Sequence, residues 1–420
     1  MAWLKKLGVD VDQKVGGNLV VLLLLAMFVT FAWQAVRPIL FDVDLYDFNS
    51  HYLASYAVQH GLDPYNLDTL QGLAKDLGAG KVTIFRYPPF WLVLLTPFGA
   101  LPHSGAVLAW QVLNLALLVA AVWLIAKTLR LGLDARNALV IGLLLFNYDP
   151  LIYNLAIGNT NLVILVLLVS VALAWTYKRE TTAGVLLGLA SAVKVTPVVF
   201  LAYFLWKRNF RLVASAVVTI LASIALGWLV LGERMSRAFL DTLTTFATED
   251  NAWIGNQSWR GFLDRIFVGD EFVHAPLQDP NLDHWLYYGG VALFAALTAL
   301  ILFRSRRTNQ FHLEFALGLF AYLIVSPTTW VHHLVWAIYP LVALALACLD
   351  RKKVAPTFWF GIGYLLIALT LEYRNEAIFQ WPASLWISSK FYGLLILYAV
   401  NAWLLLTRVP SADQAVSSPA

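Results

Sequence analysis

The chain has 420 residues, of which 60% are hydrophobic and 13% charged, with a formal net charge of +4. A soluble domain carries roughly 25% charged residues, so this chain has about half of what a wetted surface needs. Nearly charge-free runs extend from end to end, which excludes a soluble enzyme with one membrane tail. Cys348 is the one cysteine, which excludes an internal disulfide and a multi-thiolate metal site.

A helix needs roughly 20 residues to cross the apolar core of a bilayer. The first span is expected at 18–36; Lys5 and Lys6 precede it, but no small-residue cleavage site follows, so it reads as a retained helix and not a signal peptide. A long external loop, 37–87, comes next, with amphipathic helices expected at 48–59, ended by Gly61 and Pro64, and at 68–77, ended by Gly78-Ala79-Gly80. Further spans are expected at 103–126, 136–154, 159–177, 211–231, 285–303, 311–326, 330–349, 355–371 and 386–407. The apolar pieces 88–101 and 182–206 contain Pro or Lys and read as re-entrant or broken hairpins, which survive at membrane depth only where protein or water satisfies the backbone. A second long external loop, 232–284, is rich in Asp, Trp and Pro and has no clear period. The tail 409–420 is polar and expected to be disordered in the cytoplasm. The fold class is therefore an all-α polytopic membrane protein of ten to twelve transmembrane helices, forming one integral domain over 1–408.

Loop charge sets the orientation, because short cytoplasmic loops gather Lys and Arg. One set of loops and both termini hold 18 Lys and Arg against 7 Asp and Glu; the opposite loops hold 10 against 18. The basic side is read as cytoplasmic, which places both termini there in the inner membrane and both long loops outside. The small positive total conceals this polarity and does not point to nucleic acid.

Several ionisable groups sit at the outer ends of apolar segments or inside them. Asp42, Asp44 and Asp47 open the first external loop and could supply a general base, a metal site or a solvated turn. Arg86 and Tyr87 precede Pro88-Pro89, which hold the chain extended where it enters the membrane, so Arg86 is a candidate for a phosphate or an interfacial anchor. Lys194 lies within an apolar hairpin; a Lys at the bilayer centre costs about 2.5–3.5 kcal/mol, so it should face a cavity and an anion or carboxylate. Asn147, Asp149, Asn154, Asn159 and Asn161 cluster around a turn and suit either sugar hydroxyls or helix caps. In the second loop, Asn256, Gln257, Ser258, Trp259 and Arg260, with Arg265, have the composition of a carbohydrate or phosphate contact. His332 and His333 follow a short external turn; adjacent positions face different ways and no third ligand accompanies them, which disfavours zinc and leaves a phosphate contact or packing at the interface.

These pieces, in this order, resemble the GT-C-type glycosyltransferases of family 87, which include polyprenol-phosphate-mannose-dependent mannosyltransferases. The resemblance is carried by Asp47-Phe48 to Tyr52; Gly61-Leu62-Asp63-Pro64-Tyr65; Arg86-Tyr87-Pro88-Pro89 with Thr96-Pro97-Phe98 and Leu101-Pro102; Gly158-Asn159-Thr160-Asn161; Gly184 and Gly188 before Lys194 and Pro197; Asn256-Gln257-Ser258; and Ser326-Pro327 to Trp330 and His333. It runs from about residue 40 to 340, and Asn159 departs from it where the family often has Gln. The resemblance implies a GT-C-like helical bundle that transfers a hexose, mannose by family, from a polyprenyl-phosphate sugar to a hydroxyl of a glycolipid or glycan among membrane lipids, with no cofactor and no metal. It places the catalytic carboxylate at Asp47, with Asp44 as its near competitor. Substrate binding would draw on Arg86, Tyr87, Lys194, Asn159, Asn161, Gln257, Arg260, His332 and His333. A polytopic transporter or lipid flippase is the competing reading, since broken helices around a buried Lys also describe solute carriers; a non-catalytic membrane scaffold is a second.

Overall fold

A computed structural model describes residues 13–36, 45–132, 134–248, 252–306, 310–370 and 376–407. Asp42 and Asp44 and the tail 409–420 lie outside the described residues. The described residues form α-helices with short 3-10 and π turns and no β-strand; a single isolated bridge pairs Asn256 with Trp330. The protein is an all-α polytopic membrane protein. Within the span expected for one domain, the chain groups into two compact units, one of residues 1–197 and 211–239, the other of 198–210 and 240–420.

In the first unit the helices are α1 (Gln13–Phe31), α2 (Tyr46–Gln59), α3 (Leu67–Leu77), α4 (Pro89–Gly99), α5 (His103–Thr128), α6 (Ala135–Leu145), α7 (Asp149–Ile157), α8 (Asn161–Thr176), α9 (Glu180–Val193) and the first part of α11 (Phe210–Thr248); α10 (Phe200–Trp206) belongs to the second unit. Both helices expected in the first external loop are present as α2 and α3. Only α3 is amphipathic, turning Leu70 and Ala74 inward; α2 is buried nearly all round, from Phe48 to Ser55, because α4 covers one side of it and α3, α5 and α7 pack against it too.

The expected single span 136–154 is instead two helices, α6 and α7, meeting at 58°. Pro150 in the first turn of α7 explains the break: its ring lacks an N–H and disfavours helical backbone in the residue before it. The 182–206 piece is broken as expected, with α9 ending at extended Lys194 and a 3-10 turn, Thr196–Val199, following. α9 packs against the start of α11 through Gly184 and Gly188, where an added Cβ would meet Leu212 O at 2.3 Å and Thr219 Cβ at 2.6 Å. The expected loop 232–284 opens on helix, since α11 continues past 231 to Thr248 across a break at Gly232 (φ 82°).

The second unit contains α10, α12 (Trp259–Phe267), α13 (Pro280–Ser305), α14 (Phe311–Val325), α15 (Ile338–Asp350), α16 (Val354–Ala368) and α17 (Ser389–Leu406), with α16 and α14 packed on α17. Glu314, fully buried on α14, accepts from Tyr203 Oη at 2.8 Å and pairs with Lys207 Nζ at 2.5 Å. Among the described residues, five helical segments are long and apolar enough to cross a membrane, or six if the bent α6–α7 pair is one span; the other expected spans are shorter apolar helices.

Candidate active site

The site in the first unit is assembled by a tight approach of α7 to α2. α7 ends at Gly158, whose φ of 69° is left-handed, and whose absent Cβ would lie 2.8 Å from Phe48 Cβ. Only glycine meets both demands. Trp110 of α5 fixes the same junction: its indole stacks on Phe48 at 5.0 Å, and its Nε1 donates to Gly158 O at 2.8 Å.

This approach carries Asn159 onto Asp47, in the first turn of α2. Asn159 Nδ2 donates to Asp47 Oδ2 at 2.6 Å and lies 3.4 Å from Tyr87 Oη, to which Thr160 Oγ1 also donates at 3.1 Å. Asn159 Oδ1 accepts from Asn161 N at 3.1 Å; Asn161 Nδ2 donates to Asn154 Oδ1 at 3.2 Å, and its Oδ1 accepts from Lys194 Nζ at 3.2 Å. The ammonium is also 5.8 Å from the centroid of the Tyr87 ring. A carboxylate and a cation are thus joined through two buried amides.

Burial pushes the Asp47 carboxyl up to about 6, against the opposing pull of the Asn159 hydrogen bond and the Lys194 charge. It is consequently ionised at neutral pH yet remains a competent proton acceptor, since a base works best with a pKa near the operating pH. Burial, with the Lys194 charge adding to it, pushes His51 down to about 3, so this imidazole is neutral. His51 stands one turn after Asp47, 4.5 Å from the Tyr87 ring centroid, and neither of its nitrogens has a hydrogen-bond partner among the described residues.

The structure therefore brings together five of the expected residues: Asp47, Tyr87, Asn159, Asn161 and Lys194. Arg86 is half-buried beside Tyr87. The remaining four belong to the second unit. Gln257 is fully engaged there: its Nε2 donates to Ile254 O and Ile387 O, each at 2.7 Å, and its Oε1 accepts from Lys390 N at 3.1 Å and Phe391 N at 3.2 Å. Asn256, its neighbour, accepts from Thr329 N at 3.0 Å while Gln257 N donates to Thr329 O at 2.7 Å, so two of the recognisable motifs form one structural joint. Arg260 is ion-paired with Asp264 at 2.8 Å and Asp283 at 3.3 Å. His332 and His333 are buried in a 3-10 turn, Val331–Ala337, with His333 stacked on Trp336 at 5.4 Å. Among the described residues no three His, Cys, Asp or Glu side chains converge.

Thr160, Trp110 and His51 were not among the expected site residues. Thr160 lies inside the Asn159–Asn161 run and His51 follows Asp47 at helical spacing, so each had a local signal; Trp110, 48 residues from Gly158, had none.

A polytopic membrane protein with a carboxylate and a lysine joined by polar side chains is the class that fold and site define. The chain belongs to Glycosyltransferase family 87, whose sequence profile matches residues 85–327, and it is a glycosyltransferase. That match includes Tyr87, Asn159, Asn161 and Lys194, while Asp47 precedes it and His332 and His333 follow it. It is 30% identical over 307 residues, 70% of each chain, to a polyprenol-phosphate-mannose-dependent alpha-(1-2)-phosphatidylinositol pentamannoside mannosyltransferase of Mycolicibacterium smegmatis. It is 27% identical over 339 residues, 74% of this chain and 75% of the other, to a polyprenol-phosphate-mannose-dependent alpha-(1-2)-phosphatidylinositol mannoside mannosyltransferase of Mycobacterium tuberculosis. No solved structure matches the chain significantly.

Proposed function

We propose that this protein transfers mannose from polyprenyl-phosphate mannose to a hydroxyl of a glycolipid, at the external face of the cytoplasmic membrane. The observation that carries the reading is the Asp47–Asn159–Asn161–Lys194 chain of hydrogen bonds. The relatives' donor and glycolipid acceptors support the substrate classes, and the loop charge asymmetry supports the orientation, with both termini cytoplasmic.

In this reading Asp47 takes the proton of the acceptor hydroxyl as its oxygen attacks the anomeric carbon. The bond from that carbon to the phosphate oxygen breaks, its electron pair leaves with the phosphate, and the anomeric centre inverts. The departing group is a stable phosphate and needs no general acid. Lys194 faces the negative charge that gathers on it, an effect worth about 3–4 kcal/mol for a well-placed donor. Arg86 stands at the membrane entry for the same phosphate, and Tyr87, Asn159 and Asn161 supply hydroxyl and amide groups toward the sugar.

The test is release of polyprenyl phosphate by the purified full chain, given polyprenyl-phosphate mannose and phosphatidylinositol mannosides. Turnover in the wild type that is lost in folded Asp47→Asn supports the reading. Turnover that survives Asp47→Asn moves the base to Asp44 or elsewhere, and no turnover with active substrates removes the mannosyltransferase assignment.

A further inference from the structure

Beside the Asp47 site, on the same unit, lies a cavity of about 1040 Å³ that the donor chemistry does not use. Ligand pockets run from roughly 300 to 1,000 Å³, so this one suits a large guest. Three elements pass directly from its wall into the site. Tyr46 lines it and Asp47 is the next residue; Ala156 and Ile157 line it, and Gly158 and Asn159 follow; the strap from Gly78 to Thr83 lines it and continues to Tyr87.

The wall is held in place by polar contacts. Asn49 Nδ2 donates to Lys81 O at 3.0 Å, Thr83 N donates to Ser50 Oγ at 2.9 Å, and the hydroxyls of Tyr46 and Tyr153 are 2.6 Å apart. All three tie the strap or α7 to α2, so the cavity and Asp47 are carried by one packed assembly.

Its charge is one-sided. Among the described residues, Lys75 and Lys81 line it and no Asp or Glu does. Both lysines are exposed, and neither ammonium has a hydrogen-bond or ion-pair partner among the described residues. Two cations in the wall of one cavity, without a partner among the described residues, are complementary to an anion. Gln71 and Thr83 add amide and hydroxyl groups of the kind that bond sugar hydroxyls.

We infer that this cavity is the acceptor site and that it takes a glycolipid whose sugar head group carries a phosphate, with Lys75 and Lys81 on the phosphate and an acceptor hydroxyl delivered past Tyr46 to Asp47. The inference rests on the glycosyltransferase reading above for the role of the guest, and on the cavity alone for its chemistry.

Binding and turnover separate the two. The full chain in nanodiscs of neutral lipid is titrated with radiolabelled phosphatidylinositol mannoside and no donor. The Lys75→Glu/Lys81→Glu double variant is expected to bind at least tenfold more weakly than wild type, and Ala156→Trp, which fills the cavity without changing its charge, to weaken binding as well. Asp47→Asn is expected to bind this probe within threefold of wild type and not to turn it over. Equal binding by wild type, the double variant and Ala156→Trp overturns the cavity assignment whatever the turnover. Cavity-dependent binding without turnover in the wild type keeps the anionic-glycolipid site and removes the enzymatic reading.

Discussion

Asn159 Nδ2 lies 2.6 Å from Asp47 Oδ2 across 112 residues of sequence, and this bond opposes the effect of burial on the proposed base. It lowers the carboxyl, as the Lys194 charge does, while burial raises it, with a net position of about 6. Removing the amide should therefore raise the carboxyl further. In Asn159→Ala, the acidic limb of kcat/KM, expected near pH 6 in the wild type, moves to higher pH, and activity at pH 7 falls by roughly twofold to fifteenfold, since a hydrogen bond to a charged group contributes about 1.5–3 kcal/mol, or about 1–2 pH units. A pH–rate series on both proteins measures it; a limb that stays in place in the variant would show that another group titrates.

Asp47 itself should trade stability for function. Its carboxyl binds a proton more tightly in the folded than in the unfolded chain, raised from 3.8 to about 6. Its favourable contribution is thus present below about pH 4 and lost as pH rises through 6. Asp47→Asn removes that loss. The variant should lose about 10²–10⁴-fold in turnover as a missing general base, yet melt higher than the wild type at pH 7.5, with the difference shrinking toward pH 4. Melting curves in one detergent at the two pH values decide the point.

Lys194→Met removes the cation proposed to face the leaving phosphate and should lower kcat by roughly 10²–10³-fold, the scale for losing one well-placed charge-stabilising donor. Because the Lys194 charge also lowers Asp47, the acidic limb should move upward here too. Lys194→Arg keeps the charge but replaces a point donor by a planar fork, so it should restore the limb more fully than the rate. If Met and Arg give the same limb, the electrostatic link between the two residues is wrong.

The helical order and the pairing of sequence-distant groups were legible to different degrees. Apolar runs placed almost every helix, and Lys194 and Pro197 within 182–206 marked an irregular piece, whereas 88–101, expected to be broken or re-entrant, is the unbroken helix Pro89–Gly99 despite Pro97. The Pro150 break lay within an expected span, where one proline competes with a long apolar run, and α2 looked amphipathic because sequence alone does not reveal how many neighbours will cover a helix. Asp47, Tyr87, Asn159, Asn161 and Lys194 were each singled out in the sequence, but nothing there showed that they share one hydrogen-bonded cluster. Gln257 and Arg260 have the composition of a sugar or phosphate contact, yet in the structure Gln257 bonds Ile387, far along the chain, and Arg260 pairs with Asp264 one turn on and with Asp283. A polar residue that braces two loops and one that awaits a ligand read alike until the partners are in place.

Gly158 offers a test of the scaffold. In Gly158→Ala, left-handed backbone costs roughly 1–2 kcal/mol, and the new Cβ meets Phe48 Cβ at 2.8 Å. The end of α7 must then retreat from α2, which lengthens the Asn159–Asp47 bond. The variant should show a lower melting temperature together with a kcat at least tenfold reduced. A loss of stability with kcat intact would separate the junction from the chemistry.

Gln257 makes the opposite case. Its side chain serves two carbonyls and two amides in a fully buried position, which joins the 254–258 loop to the start of α17. Gln257→Ala strands four backbone groups, each costing about 1–3 kcal/mol if left unmet, so the variant should express poorly and melt well below the wild type. Gln257→Glu keeps the acceptors for Lys390 N and Phe391 N but loses the donors to Ile254 O and Ile387 O, and should recover only part of the stability. The protein that does fold should keep its KM for both donor and acceptor, because the amide is committed to backbone. A KM for either substrate that rises tenfold in a stably folded Gln257 variant would return this residue to the binding site.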